Sequence, residues 1–577
     1  YSNQNKTIPR MLLKIYNPKD PKSKGAIEKM KKRRILAALL SCAMISTALI
    51  GCSGDGSSST ASGGSSTGGG EASTSGEKVK LTALFSKHSL TKDVNTMQWL
   101  TDLQNECNVE VEWQQISADW DQKKPAMFAS GEIPDLLFSA TADSDYVQYN
   151  GLFEDLKPLI EQYAPNLQAM FKELPETEIL CTTMEGKIFG TPKYQSVWPK
   201  TNGTMYINQQ WLDAVNMEMP TTWDELEAVL KAFKEQDANG NGDPNDEIPM
   251  DFNGGFNGAY SLQHFLGSTG MQLTGPNPNG YFAEDGVVKN YYVDERFKRV
   301  VKYVQRLWSE GLINEEAITQ DYSKFQSVAR GDGDTAKVGF TWGWEKGDRF
   351  GTELPDQYVS VPQLKETADT EKVCYSYDFY GLNYGGNRVA MSAKCANKEA
   401  AMKFIDGFYD EKVSLEVLFG GANDVDKCIE IGDDGSYTIL PPADPELDPG
   451  TWKWTSSFAD NGPIWIRDDL KITLGTDMQA VTEEKSVYDE LFEDLDPKDI
   501  YPDMFMKYSE ADTNTLAMNQ ANIQNITDPA WSTWITTPGA DVDGEWDAYV
   551  QSVMNAGLTQ NLEIRQKAFD EYLKTMA

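Results

Sequence analysis

The stretch Lys78-Val79-Lys80-Leu81-Thr82-Ala83-Leu84-Phe85 sets apolar Val79, Leu81 and Ala83 at alternate positions, the pattern of a strand with one buried face. Leu90 to Glu106 follows with helical spacing, and then Val109, Val111 and Trp113 alternate again. Strand, helix and strand in that order predict an α/β protein built on a parallel sheet. Open sheets of this kind bind ligands beyond the carboxyl ends of their strands. That makes the loop Ser86-Lys87-His88-Ser89 a candidate site, with Lys87 and His88 as its contacts. Pro134 to Ser139 reads as a third, buried strand, so Ala140 to Asp145 falls at the same edge and Asp145 joins the candidates. Glu185 to Pro192 reads as a tight turn and a strand that changes lobe, with Trp198 at the crossing.

Upstream of this body the chain changes character. Lys31-Lys32-Arg33-Arg34 is a basic head, Ile35 to Ile50 an apolar run, and Leu49-Ile50-Gly51-Cys52 places a small residue just before cysteine. A run so short and so rich in small residues suits a cleaved secretory signal better than a transmembrane span. The pattern resembles the bacterial lipobox, which implies that Cys52 becomes the lipidated first residue of the mature protein. Residues 30–51 are then the signal peptide, and residues 1–29 are an upstream extension with no role in the fold. Residues 52–77, mostly Gly, Ser and Thr, cannot bury enough surface to fold and form a tether. It spans on the order of 25–30 Å and holds the body at the extracellular face of the cell membrane.

Composition narrows the function. The chain has 577 residues, 40% hydrophobic, with 15 Trp, 25 Tyr and 23 Phe, enough for at least two domains with cores. Residues 1–51 hold 11 of the 52 basic and 2 of the 88 acidic side chains, which leaves 41 against 86, about −45. Phosphate backbones and anionic lipid repel such a body, which argues against nucleic-acid partners and leaves membrane attachment to the lipid anchor. Beyond Cys42 and Cys52, the cysteines Cys107, Cys181, Cys374, Cys395 and Cys428 show no metal-ligand spacing and no CxxC. His88 and His264 are the only histidines, too few parts for the usual triads and zinc sites. Carboxylate pairs are everywhere in so acidic a chain and discriminate nothing about glycoside hydrolysis. No catalytic residue is assigned.

Thr204-Met205-Tyr206-Ile207-Asn208, Trp211-Leu212 and Pro220-Thr221-Thr222-Trp223-Asp224-Glu225-Leu226 read as a strand, a short helix, and a helix opened by a capping box of Thr222 and Glu225. Trp223, Leu226, Leu230 and Phe233 form that helix's apolar stripe. With the lipobox, the tether and the β-α-β opening, this segment resembles the family 1 extracellular solute-binding proteins of bacterial ABC importers. Within that family it is most similar to the large oligosaccharide-binding lipoproteins, the alginate-oligosaccharide and lipoprotein-A-like branch. The resemblance covers residues 78–577. It implies a two-lobed, type II periplasmic-binding-protein-like fold, each lobe a mixed sheet flanked by helices, with the ligand cleft between the lobes. The lobes implied are 78–198 with 363–430 and 199–362 with 431–577, joined by a second crossing at Tyr358 to Pro362. The function implied is that of a monomer that captures an oligosaccharide by hinge closure and docks on the permease subunits, breaking no bond.

Asp237-Ala238-Asn239-Gly240-Asn241-Gly242-Asp243 places oxygen donors at alternate positions and glycine at the sharp turn, which is what a calcium shell needs from a loop. One structural calcium ion is expected, held by Asp237, Asn239, Asn241, the Asp243 carbonyl, and Asp246 or Glu247. A glutamate at the twelfth position is missing, where Ile248 stands. The relatives' similar loop closes on an Asp-Glu pair with one residue fewer. Lys337 to Glu345 reads as a strand ending in Trp342 and Trp344, on one side of an extended backbone. In the relatives a tryptophan at this strand end stacks on a sugar ring, a match of apolar face to fixed plane. The resemblance thus implies Trp342, Trp344 and Glu345 as ligand contacts, with Tyr322 in the turn before a ligand-proximal helix. Tyr377 near the hinge and Trp465 in a Pro- and Trp-rich segment over the cleft mouth complete the candidates. Two other readings stay open: a surface-tethered polysaccharide-degrading enzyme, and a peptide-binding member of the same architecture. Aromatic content favours sugar, and acidity favours neutral over uronate sugars.

Overall fold

The computed structural model of the chain describes residues 77–243, 245–275, 279–424, 427–441 and 452–576. By its contacts the chain divides into Tyr1–Ser75 and Gly76–Ala577, and every residue described belongs to the second unit. The signal peptide, the Cys52 lipidation site and the tether up to residue 76 lie outside the described residues. Among the described residues no helix is long and apolar enough to cross a membrane.

Val79–Ser86 (β1), Val109–Ile116 (β2) and Leu136–Phe138 (β3) form the expected parallel core, with Ala83 of β1 level with Trp113 of β2 and Leu136 of β3. The later strands are Lys193–Gln195 (β4), Thr204–Asn208 (β5), Ile248–Met250 (β6), Tyr281–Glu284 (β7), Val287–Asn290 (β8), Val338–Gly343 (β9) and Tyr358–Ser360 (β10). Tyr384–Gly385 (β11), Val389–Met391 (β12), Ile429–Ile431 (β13), Tyr437–Ile439 (β14), Trp465–Ile466 (β15) and Ile472–Thr473 (β16) complete the order. The first lobe's sheet runs β12-β3-β1-β2 with β12 antiparallel, and the second lobe's runs β10-β5-β9-β6 with β6 parallel to β9. A third, small sheet runs β11-β4-β15, with β11 antiparallel and β15 parallel to β4. The protein is therefore two-lobed, with mixed sheets flanked by helices.

The helix predicted from Leu90 is shorter, Gln98–Glu106, because Thr91 and Lys92 instead bond the backbone of Trp454 and Thr455. The helix Trp223–Glu235 buries Trp223, Leu226, Leu230 and Phe233 as its spacing requires. Thr222 accepts from the Glu225 N–H at 3.2 Å, while the Glu225 carboxylate reaches back to Thr221 rather than to Thr222 itself. No disulfide links any two of Cys107, Cys181, Cys374, Cys395 and Cys428.

The chain returns between lobes later than the sequence implied. β10 lies inside the second lobe's sheet, so Tyr358–Ser360 is not a crossing. Residues 363–378 stay with that lobe: Gln363 donates to the His264 carbonyl at 3.1 Å and the Tyr375 hydroxyl to the Gly203 carbonyl at 2.8 Å. Residues 452–473 pack on the first lobe instead of the second. Phe458 is wholly buried there, its ring 4.3 Å from Phe85, 5.2 Å from Trp99 and 5.9 Å from Trp113. Burying a side chain of this size contributes roughly 1.5–3 kcal/mol, which ties the segment down. We propose lobe boundaries of 78–198 with 384–473, and 199–378 with 476–576.

Candidate functional site

The crossing strand β4 and the segment after it present Lys193, Gln195 and Trp198 toward Asp460. Lys193 donates to Asp460 Oδ1 at 3.0 Å, Gln195 at 2.8 Å and the Trp198 indole at 3.2 Å. Asp460 sits on the turn that follows Phe458, where Ala459 has φ of 51°. The next residue fixes this turn to the carboxyl ends of two strands: Asn461 accepts from the Ser139 hydroxyl at 2.5 Å and donates to the Ser86 carbonyl at 3.3 Å. The turn thus occupies the sheet edge where ligands of open α/β sheets gather. Burial works to raise the Asp460 pKa, but the Lys193 ammonium and the three donors outweigh it and hold the carboxylate below its usual range.

Trp198 meets the second lobe through Trp344, ring centroids 5.8 Å apart and edge to face. Both rings are half-buried. Trp344 is held from behind by Lys485, whose ammonium donates to the carbonyls of Trp344 at 2.7 Å and Asn202 at 2.8 Å and to the Thr204 hydroxyl at 3.0 Å. The same ammonium lies 4.7 Å from the centre of the Trp344 ring. Burial pulls Lys485 down to about 7, against the carboxylates of Glu484, Asp378 and Glu345.

β9 ends at Gly343, so the alternation of the strand does not extend to Trp344 and the two tryptophans part company. Trp342 is 0% exposed, packed against Phe340, Phe265 and His264, and has no free face for a sugar; the expected stacking pair narrows to Trp344. Gly343 is required between them, because a Cβ there would stand 2.8 Å from that of Arg349. Glu345 turns back to cap the helix Lys346–Phe350, accepting from the Gly347 N–H at 2.6 Å. Burial raises its pKa.

The remaining candidates divide. Tyr322, 46% exposed, lies beside Tyr260 and Asp348 on the second lobe. His88 is half-buried with its ring 4.9 Å from that of Trp454, and Lys87 donates to the Lys92 carbonyl and to Gln115. Tyr377 packs among Phe379, Tyr380 and Phe492. Asp145 is buried in an ion pair with Lys124 at 2.9 Å and caps its own helix, and Trp465 is buried in β15 under Arg467 with its indole N–H enclosed, so neither is open to a ligand. The sequence reading missed Asp460, Gln195, Lys193 and Lys485.

The loop containing Asp237 to Asp243 turns at two glycines in the left-handed region, with φ of 70° at Gly240 and 92° at Gly242. Asp246 accepts from the amides of Asn239 at 3.0 Å and Asn241 at 2.8 Å, and Asp237 Oδ2 from the Gly242 N–H at 2.9 Å. The other Asp237 oxygen and Glu247 Oε2 are buried without a hydrogen-bond partner. Burial, with the Asp246 and Asp237 charges adding to it, pushes the Glu247 pKa up. Orphaned acidic oxygens that repel one another suit a cation. Among the described residues no group of three His, Cys, Asp or Glu side chains stands ready for a metal, so an ion here relies on the asparagine oxygens and on rotation of their amides.

The model of the bacterial extracellular solute-binding protein family matches residues 87–413, and the chain belongs to that family. It is 34% identical to a solved human-milk-oligosaccharide (HMO)-binding, ABC-transporter-associated solute-binding protein from Bifidobacterium longum infantis. That match covers 86% of this chain and 99% of the other with a TM-score of 0.79. The fructooligosaccharide ABC transporter substrate-binding protein FusA of Streptococcus pneumoniae is 28% identical over 505 residues, 83% of this chain and 88% of FusA. FusA has been solved in complex with kestose, at 25% identity and a TM-score of 0.73 over 86% of this chain and all of the solved chain. It has also been solved as an EF-hand mutant.

Proposed function

We propose that the protein is the substrate-binding component of an ABC importer, which captures an oligosaccharide between its lobes and delivers it intact to the permease. The observation that carries this reading is the pair of half-buried indoles, Trp198 and Trp344, meeting across the crossing beside a charged acceptor, Asp460. Flat apolar faces flanked by fixed hydrogen-bonding groups are what a pyranose or furanose requires. What the named relatives bind supports the same class. The mechanism is hinge closure about β4 and β11: the ligand bridges groups on both lobes and so favours the closed form, which the permease recognises. No residue is assigned a bond-breaking role.

Around this core the reading adds a monomeric body lipid-anchored through Cys52 at the outer face of the cell membrane, and one structural calcium in the 237–247 loop. Asp237, Asn239, Asn241, Asp243, Asp246 and Glu247 would hold the ion, which would supply rigidity to that loop rather than contact the sugar. The test is a thermal-shift and calorimetric screen of residues 77–577 against neutral and acidic oligosaccharides, with kestose and pooled human-milk oligosaccharides included. A ligand that raises the melting temperature and is recovered intact supports the proposal, since binding to the folded state stabilises it by mass action. Recovery of cleaved sugar overturns it in favour of the polysaccharide-degrading alternative.

A further inference from the structure

Asp460 uses only half of its carboxylate on the protein. Lys193, Gln195 and Trp198 all donate to Oδ1, and among the described residues no group donates to Oδ2. The side chain is 44% exposed, yet desolvation still acts on its charge. The three donors on Oδ1 fix the plane of the carboxylate, so Oδ2 is an ionised acceptor with a set direction. It lies on the residue whose ring partner Trp198 abuts Trp344.

Resting on the oligosaccharide reading above, we infer that Asp460 is a specificity-determining ligand contact, whose Oδ2 accepts hydroxyl groups of a neutral sugar and rejects a carboxylated one. A charged acceptor forms strong hydrogen bonds with hydroxyl donors. A uronate brought to the same position places its charge directly against Oδ2, and among the described residues no cation donates to that oxygen to separate the two. Lys193 is already spent on Oδ1, and Arg388 donates to the Asp460 backbone carbonyl at 3.1 Å and to the Ser139 hydroxyl. A site built to receive hydroxyl hydrogens also discriminates sharply against sugars that lack them, because its acceptor is then left unpaired.

The experiment is isothermal titration of the wild type, Asp460→Asn and the double variant Asp460→Asn with Lys193→Met, using the tightest neutral oligosaccharide from the screen and its uronate counterpart. The double variant removes the buried lysine charge that the single one leaves without its partner. Both variants, checked by melting temperature, are expected to bind the neutral sugar at least tenfold more weakly and to narrow the neutral-to-uronate ratio by at least as much. Unchanged affinity and ratio in a folded double variant, with the wild type binding normally, would overturn this inference alone. A wild type that binds no oligosaccharide would overturn it together with the function on which it rests.

Discussion

Two tryptophans two positions apart have opposite surroundings. Trp342 is enclosed by core rings and Trp344 is half-buried at the crossing. Trp342→Ala is expected to cost about 3–5 kcal/mol of stability, as large-to-small core changes do. Trp344→Ala is expected to leave the melting temperature within a few degrees and to weaken ligand binding by roughly 1–3 kcal/mol, in line with buried aromatic anchors. Chemical denaturation and calorimetry on the two variants separate these roles, and loss of affinity without loss of stability in Trp342→Ala would reverse the assignment. The alternation of β9 was legible in the sequence; where it stopped was not. Gly343 ends the strand because Arg349 packs against it, and that contact comes from a helix the strand pattern does not announce. Asp460 was still less legible. Its partner Lys193 lies 267 positions away, and nothing local marks the turn after Phe458 as part of a cleft.

At the scale of elements, the loop 237–247 and the helix ending at Lys485 each carry buried charge that solution conditions can move. Calcium at a hundred times its dissociation constant adds about 2.7 kcal/mol to a folded state that alone binds it. Chelation is therefore expected to lower the melting temperature of the wild type while leaving sugar selectivity unchanged. Glu247→Gln is expected to remove the response and, in chelator, to melt above the wild type, because it relieves the repulsion with Asp246 and Asp237. A wild type indifferent to chelator would argue against the ion. Lys485 has a folded pKa of about 7 against 10.5 in the unfolded chain. Between those values the unfolded state binds more protons, so stability rises with pH across this window. Asp378, pushed up to about 6 by burial, contributes in the lower window from 3.8, where stability falls as pH rises. Melting curves from pH 7 to 9 are thus expected to climb more steeply in the wild type than in Lys485→Met, and parallel slopes would show that Lys485 does not titrate there. The alternating Asp and Asn pattern announced a sharp, oxygen-rich turn here, and the positive φ of Gly240 and Gly242 fits that turn. Lys485 was not, since its acceptors belong to Asn202, Thr204 and Trp344, brought together only by the fold.

For the whole molecule, the hinge-closure reading predicts that saturating ligand lowers the radius of gyration of residues 77–577 in small-angle scattering, and that Asp460→Asn requires more ligand for the same change. No compaction at saturation would argue against a hinge. The first lobe's opening was legible from its β-α-β pattern, but the packing of the segment around Phe458 against it was not, because Phe458 finds its neighbours through packing alone. That packing has a consequence in time as well as in space. Ser86 and Asn461, which meet at the carboxyl edge of the first sheet, are 375 positions apart. A chain emerging amino end first cannot seal the aromatic box around Phe85 until about four-fifths of its 577 residues have been made, and contacts so distant in sequence form slowly. For the exported protein proposed above, a lobe that waits for a segment so late in the chain is a lobe that does not fold too soon.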